Sequence, residues 1–368
     1  MNARTNRLPR QTVSCGLLLA ALTVSAQGAA PVFQWTTIAG RASIGLEDGP
    51  AASARFNDPQ GLAFDPAGNL YIADTGNHTI RKLTPAGFVS TLAGSPGLSG
   101  SADGVGRDAR FDGPESIAVD PAGNVYVTDT GNFTIRKVSP TGVVTTLAGQ
   151  AGVQGASDGS VSSARFNSPK KIVVDSAGTV YVLDSGIRRI SAGTVQTIST
   201  NGPVRTPGYS GPVTLPILDL VVDPSGQVYF TSGVTLGQSY VMVSAVLRLD
   251  AGGAISVVYS FPQSRWTETS SLLALDPWGD FLADEWIPWV DGPGREKIVR
   301  IINRGTADDV AMIRDEEGAA RYARGLALSP TGEIVYSRDD NVIVRWTRTE
   351  RRRFWPARPK ALWIISRR

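Results

Sequence analysis

Short apolar runs recur along this chain, and each is stopped by a turn built from Asp, Pro, Gly or Asn. GLAFD, at Gly61–Asp65, runs into the turn DPAGN. LYIAD follows, alternating in character and rich in β-forming residues. TGN turns the chain, TIRKL makes a third run, TPAG turns it again, and FVSTLAG makes a fourth. Four short strands joined by tight turns predict one antiparallel blade.

The pattern is repeated nearly word for word. ARFNDPQGLAFDPAGNLYIADTGNHTIRKL begins at Ala54, ARFDGPESIAVDPAGNVYVTDTGNFTIRKV at Ala109 and ARFNSPKKIVVDSAGTVYVLDSGIRRI at Ala164, a spacing of 55 residues. A unit of this size cannot bury its apolar face alone, so stacked units are expected. Three later segments keep the frame and lose the wording: LDLVVDPSGQVYFTS from Leu218, SLLALDPWGDFLADE from Ser271 and RGLALSPTGEIVYSR from Arg324. The turn residues Asp65, Asp120, Asp175, Asp223, Asp276 and Ser329 then mark six blades. The last shows only three strands, and WTTIAG, at Trp35–Gly40, reads like VSTLAG and VTTLAG. The expected fold class is all-β: a six-bladed β-propeller of four-stranded antiparallel blades, the last closed by the N-terminal strand, which removes free edges.

Composition agrees, with 40 Gly and 23 Pro in 368 residues. Residues 31–347 are read as the propeller. Residues 1–30 are read as a signal peptide: Arg4, Arg7 and Arg10 precede an apolar stretch from Val13 to Val24, then small residues suited to cleavage. The stretch is short for a transmembrane span. Cys15, the only cysteine, precedes most of it and is badly placed for a lipoprotein site. The expected location is periplasmic or extracellular.

The net charge of +3 divides into +3 for residues 1–30, +7 for the tail 348–368 and −7 for the body. An acidic body is a poor polyanion binder, so nucleic acid is not an expected partner. The basic, aromatic tail is read as a solvated end, with weak contact to an anionic surface as its sharper reading.

These repeats resemble the NHL repeat in its bacterial secreted form, through DPAGNLYIADTGNHTIRKL, DPAGNVYVTDTGNFTIRKV and the preceding loops EDGPAASARF, ADGVGRDARF and SDGSVSSARF. The resemblance covers roughly residues 33–200 and fades afterwards. It implies a six-bladed platform for proteins, peptides or RNA. Related propellers include metal-dependent lactonases, strictosidine-synthase-like proteins and amidating lyases.

Residues that recur in every blade read as scaffold. Asp74, Asp129 and Asp184 begin turns, with Asp284 as the equivalent in blade five and Ser232 and Ser337 replacing it in the other two. Lys82, Lys137, Arg189, Arg248, Arg300 and Arg345 form a repeated basic position, read as ion pairs. Asp48, Asp103 and Asp158 precede Gly and read as turns rather than calcium loops.

Catalytic constellations are scarce. His78 is the only histidine, so neither a His-based zinc site nor a supported Ser-His-Asp triad can be built. No catalytic residue is assigned, and the reading leans away from an enzyme. No cofactor is expected. The irregular loops from Ser232, Phe261 and Asp284 share one face and carry Tyr240, Trp266, Trp286 and Trp289. Long aromatic loops on a rigid scaffold suit a binding face. The principal reading is a monomeric, non-catalytic module for a protein, peptide or glycan over blades four and five. The alternative is a calcium-dependent lactonase-like hydrolase in the central channel, whose mouth would carry Glu115, Lys170, Lys171, Asp219 and Arg324.

Overall fold

In the computed structural model each repeat becomes one antiparallel sheet, ordered from an outer edge to an inner strand. The structure describes residues 33–200, 203–204, 213–214, 217–236, 241–250, 253–260, 273–276, 279–287, 295–302, 306–313 and 323–348. The chain divides into two units, and Phe33–Thr349 holds every sheet. The other unit, Met1–Val32 with Glu350–Arg368, lies outside the described residues, and with it the expected leader and tail. Among the described residues no helix is long and apolar enough to cross a membrane.

The first sheet orders Gly49–Pro50, Phe88–Ala93, Thr79–Leu83, Leu70–Asp74 and Pro59–Phe64. The inner strands of all the repeats are Pro59–Phe64, Pro114–Val119, Lys171–Val174, Ile217–Val222, Leu273–Leu275 and Ala323–Leu328. Each touches the next around an axis, and the last touches the first. Apolar clusters fill the seams between neighbouring sheets. One joins Tyr71, Ala73 and Ile80 to Phe111, Ile117 and Val125; the next joins Tyr126 and Ile135 to Phe166, Ile172 and Val180. This is the burial that no single repeat can achieve alone.

The expectation of six equivalent four-stranded blades is corrected. The sheets range from two to five strands. The first three repeats gain a fifth strand, because Gly49–Pro50, Gly104–Val105 and Gly159–Ser160 pair with the outer edge of their sheets. Pro203–Val204 and Val213–Thr214 form a separate two-stranded ladder. Five of the larger sheets have described side chains in every strand. In the remaining one, the side chains of Arg295–Ile302 and Thr306–Ile313 lie outside the described residues. Nor is any sheet closed. The N-terminal strand Phe33–Ala39 pairs antiparallel with Ile343–Arg348 and forms the outer edge of an open four-stranded sheet.

The local cause of the first three sheets is a buried arginine. Arg81, Arg136 and Arg188 are at most 1 % exposed. Arg81 donates to Asp74 at 2.7 Å, to Asp48 at 2.8 Å, and to the carbonyls of Glu47 and Arg55. Arg136 repeats this with Asp129 and Asp103, and Arg188 with Asp184 and Asp158. Each guanidinium lies over the Phe of its own ARF motif, 5.1–5.2 Å from the ring centroid of Phe56, Phe111 or Phe166. Burial pushes the Asp74 and Asp129 carboxyls up to about 6, against the pull of their arginines and hydrogen bonds. The Asp–Gly loops are therefore ion-paired scaffold.

A second device holds the turn after each inner strand. Asp65 accepts from the backbone N–H and the side chain of Asn69 and from the hydroxyl of Tyr71. Asp120 does the same for Asn124 and Tyr126. Burial first, then the adjacent carboxylate, pushes both phenols up to about 12, so they stay protonated donors at neutral pH. In the last sheet the pairing register places Arg338, rather than the expected Ser337, opposite Ala323, and Arg338 pairs with Asp340.

Removing one member of a fully buried ion pair leaves the other charge uncompensated. Arg136→Met is expected to cost about 3–5 kcal/mol, and Arg136→Met with Asp129→Asn clearly less than the single change. Urea unfolding followed by circular dichroism checks this; equal losses in both variants would contradict it.

Candidate active site in the axial channel

The inner strands all start at one end of the axis. At or within two positions of their starts, Gln60, Glu115, Lys170, Lys171, Asp219 and Arg324 line the polar end of an axial cavity of about 390 Å³. Their last residues, Phe64, Val119, Val174, Val222, Leu275 and Leu328, line it with apolar surface. Equivalent positions on successive strands therefore meet around one opening. That volume is within the range of small-molecule sites.

Two glycines set how tightly the mouth closes. A Cβ at Gly61 would lie 2.8 Å from the carbonyl oxygen of Glu115, and one at Gly325 would lie 2.0 Å from that of Gln60. Ser337 donates to the same Gln60 carbonyl at 2.8 Å. The Gln60 amide donates to Asp58 at 3.0 Å, and the Asp58 N–H donates to the Asn341 side chain at 2.7 Å. First and last repeats are thus stitched together at the rim.

The charged groups divide into two settings. Asp219 is buried, and both its oxygens accept from the Lys171 ammonium at 2.8–2.9 Å. They also accept from the N–H groups of Leu220 and Leu273. Burial raises the Asp219 carboxyl, and Lys171 is the first group opposing it. Asp219 therefore ties three inner strands together and fixes the ammonium of Lys171. Glu115 is different. Burial pushes its carboxyl upward and Asp58 adds to this, while Thr130 and the charge of Lys170 pull it down. Lys170 and Arg324 are exposed beside the opening.

The five residues expected at the channel mouth therefore line one cavity. Their chemistry is not that of a calcium cage. Asp219 spends its oxygens on an ammonium and two amides, cations outnumber free carboxylates, and no three His, Cys, Asp or Glu among the described residues are grouped to hold a metal. His78, in the left-handed region at φ 58°, accepts from the N–H of Gly113 at 3.1 Å. On the expected loop face, Tyr240, Trp266 and Trp289 lie outside the described residues. Trp286 is described by its backbone alone, paired with Glu296. Sequence reasoning missed Thr130 as a neighbour of Glu115. The signal was present, since Thr75 and Thr130 open the same TGN turn in successive repeats.

Residues 56–83 and 111–138 match the NHL repeat. The chain is 30 % identical over 129 residues to human NHL repeat-containing protein 3, covering 33 % of this chain and 34 % of that protein, so it spans about a third of that relative's length. Among solved structures it is similar to a gluconolactonase from Xanthomonas campestris, with 12 % identity and a TM-score of 0.55, covering 86 % of this chain and 90 % of that one. It is also similar to an auxiliary nutrient binding protein from Bacteroides thetaiotaomicron, with 14 % identity, a TM-score of 0.54 and coverage of 87 % and 78 %. At these identities the likeness is one of fold. The fold is shared by a lactonase as well as by a binding protein, which corrects the reading of a module that is purely non-catalytic and the leaning away from an enzyme.

Gly325→Ala is expected to destabilise the protein by about 1–3 kcal/mol, because the new methyl must displace the Gln60 carbonyl at the rim. A urea midpoint unchanged from the parent would show that the rim yields freely.

Proposed function

We propose that the chain is a hydrolase that opens a small lactone or related ester at the mouth of the axial channel. The observation that carries this is Glu115: a carboxyl raised by burial, facing a small-molecule-sized cavity, next to Lys170. A raised carboxyl is a better base near neutral pH than an ordinary one. The fold likeness to a gluconolactonase supports the same substrate class.

In this reading Glu115 takes a proton from water as the water oxygen bonds to the ester carbonyl carbon. The negative charge on the carbonyl oxygen is met by the cations of the mouth, Lys170 and Arg324. The ring C–O bond then breaks, and Glu115 returns the proton to the departing alkoxide. The product is a hydroxy acid, which ionises. Lys171 stays bound to Asp219 and contributes a fixed positive field rather than a mobile proton. No step is routed through a metal, because the donor set does not fit one. With the leader expected at residues 1–30, the reaction would take place outside the cytoplasm.

The test is turnover of a panel of γ- and δ-lactones by the full chain, followed in a pH-stat. Glu115→Gln is expected to lower kcat/KM by about 10²–10⁴-fold, and prior chelator treatment is expected to leave the parent rate unchanged. The base must be ionised to act, so the rate falls as pH drops through its pKa. Burial sets that acid limb above the ordinary Glu value of about 4.3. No turnover of any lactone, or an unchanged rate in Glu115→Gln, would overturn the proposal.

A further inference from the structure

Four sheets carry the same cross-strand pair on their outer half. Tyr71 faces Lys82, Tyr126 faces Lys137, Tyr181 faces Arg189 and Tyr229 faces Arg248. Each tyrosine reaches into the seam with the next sheet. Tyr71 packs with Val125 and Val138, Tyr126 with Val180 and Ile190, and Tyr181 with Val228 and Leu249. Tyr229 meets Phe281 edge-on at 4.9 Å. The cation lies against the ring where the geometry is closest: the Lys82 and Lys137 ammoniums are 5.3 and 5.5 Å from the centroids of Tyr71 and Tyr126. The phenol hydroxyl donates to the turn Asp, as in Tyr71 to Asp65.

The last sheet breaks the pattern at two linked places. Val335 stands opposite Arg345 where the first four sheets have tyrosine and the fifth has Leu282, and Ser329 replaces the turn Asp that the fifth keeps as Asp276. Ring and carboxylate are lost together. The seam that this sheet shares with the first is where the ring would go, against Leu70 and Leu83. It holds instead a cavity of about 630 Å³ lined by Ile38, Phe64, Leu70, Leu83, Val335 and Arg345. At the seam of the third and fourth sheets, where Tyr181 is present, the corresponding opening is about 430 Å³. Arg345 is also left short of partners. Its terminal nitrogen lies 3.6 Å from Glu333, whereas that of Arg189 donates to Gln196 at 2.8 Å; the Nε of both is buried without a hydrogen-bond partner.

We propose that this seam cavity is a binding site for a small monocyclic phenol, which takes the place of the missing tyrosine ring. The apolar floor of Leu70, Leu83 and Val335 accepts the ring, and the Arg345 guanidinium lies against its face as Lys82 and Lys137 do against theirs. Glu333, and Ser329 with Thr331, offer acceptors for the phenolic hydroxyl in place of the absent Asp. A phenol fits better than an aliphatic alcohol because both the ring face and the acidic hydroxyl have partners. The site is separate from the channel mouth, so it does not depend on the lactonase reading.

The probe is p-cresol, titrated calorimetrically into the full chain, with 4-methylcyclohexanol as the non-aromatic control. One saturable site for p-cresol is expected, with the control about two- to five-fold weaker or more for want of the cation–ring attraction. Val335→Tyr should abolish p-cresol binding by filling the cavity with the residue's own ring. Should that variant not fold, Arg345→Met serves: it should weaken p-cresol about two- to five-fold and leave the control unchanged. Absence of saturable p-cresol binding by the parent protein would overturn the proposal. So would equal binding of the two probes, or binding that neither substitution alters.

Discussion

A guanidinium cannot be buried unless nearly all its donors find acceptors, and the first half of this molecule is arranged around that constraint. Arg81, Arg136 and Arg188 each gather an aspartate from the end of a strand, an aspartate from the preceding loop and carbonyls from the chain between them. The aromatic ring of the ARF motif covers one face of each. A loop that would otherwise wander over the surface is drawn to its own sheet, where its next two residues add an outer strand. The later repeats show the rule from the other side. In the fourth sheet the arginine position is taken by Leu247 and the aspartate position by Ser232. In the last sheet Val344 and Arg338 stand in those places. The buried base and the buried acid have gone together, as the cost of an isolated interior charge requires.

The same logic operates on the axis. Inner strands that all begin at one end bring side chains from distant repeats to a single opening. Most of the cost of charge there is met by pairing: Asp219 with Lys171, and Asp58 with the Gln60 amide. Burial raises the carboxyls of both Asp219 and Glu115, but Asp219 is held by an ammonium and two amides, whereas Glu115 is opposed only by Thr130 and the charge of Lys170, and this sets it apart at the mouth. The apolar lower channel, ending in Phe64, Val119, Val174 and Leu328, keeps the dielectric low beneath it. The mouth thus combines exposed cations with a carboxyl raised by burial.

Divergence among the repeats is as informative as their likeness. Where tyrosine, turn aspartate and cation are all kept, a ring with a satisfied hydroxyl lies in the seam, and at the third seam the opening is about 430 Å³. Where the ring and the aspartate are both absent, the seam holds the larger cavity of about 630 Å³ beside Arg345. A repeat protein can vary a seam without disturbing the rest, because each unit packs only against its neighbours.

Much of this was legible in the residues themselves. Turn chemistry and period alone marked the strands of the first three repeats, since Asp-Pro-Ala-Gly and Thr-Gly-Asn in the first two, and Asp-Ser-Ala-Gly and Asp-Ser-Gly in the third, dictate their turns locally. The channel-mouth residues followed as well, because equivalent positions of a repeat must converge on its axis. Other features depended on atoms far apart in the chain. Whether Asp219 would bind a cation or an ammonium was decided by Lys171, 48 residues away. The fifth strands arose because Asp48, Asp103 and Asp158 were captured by arginines some thirty residues later. The upward shift of Glu115 came from burial, which exists only once the inner strands meet. Period and turns are local properties written in the sequence, whereas pairing, desolvation and the open seam are properties of neighbours, which only the tertiary structure supplies.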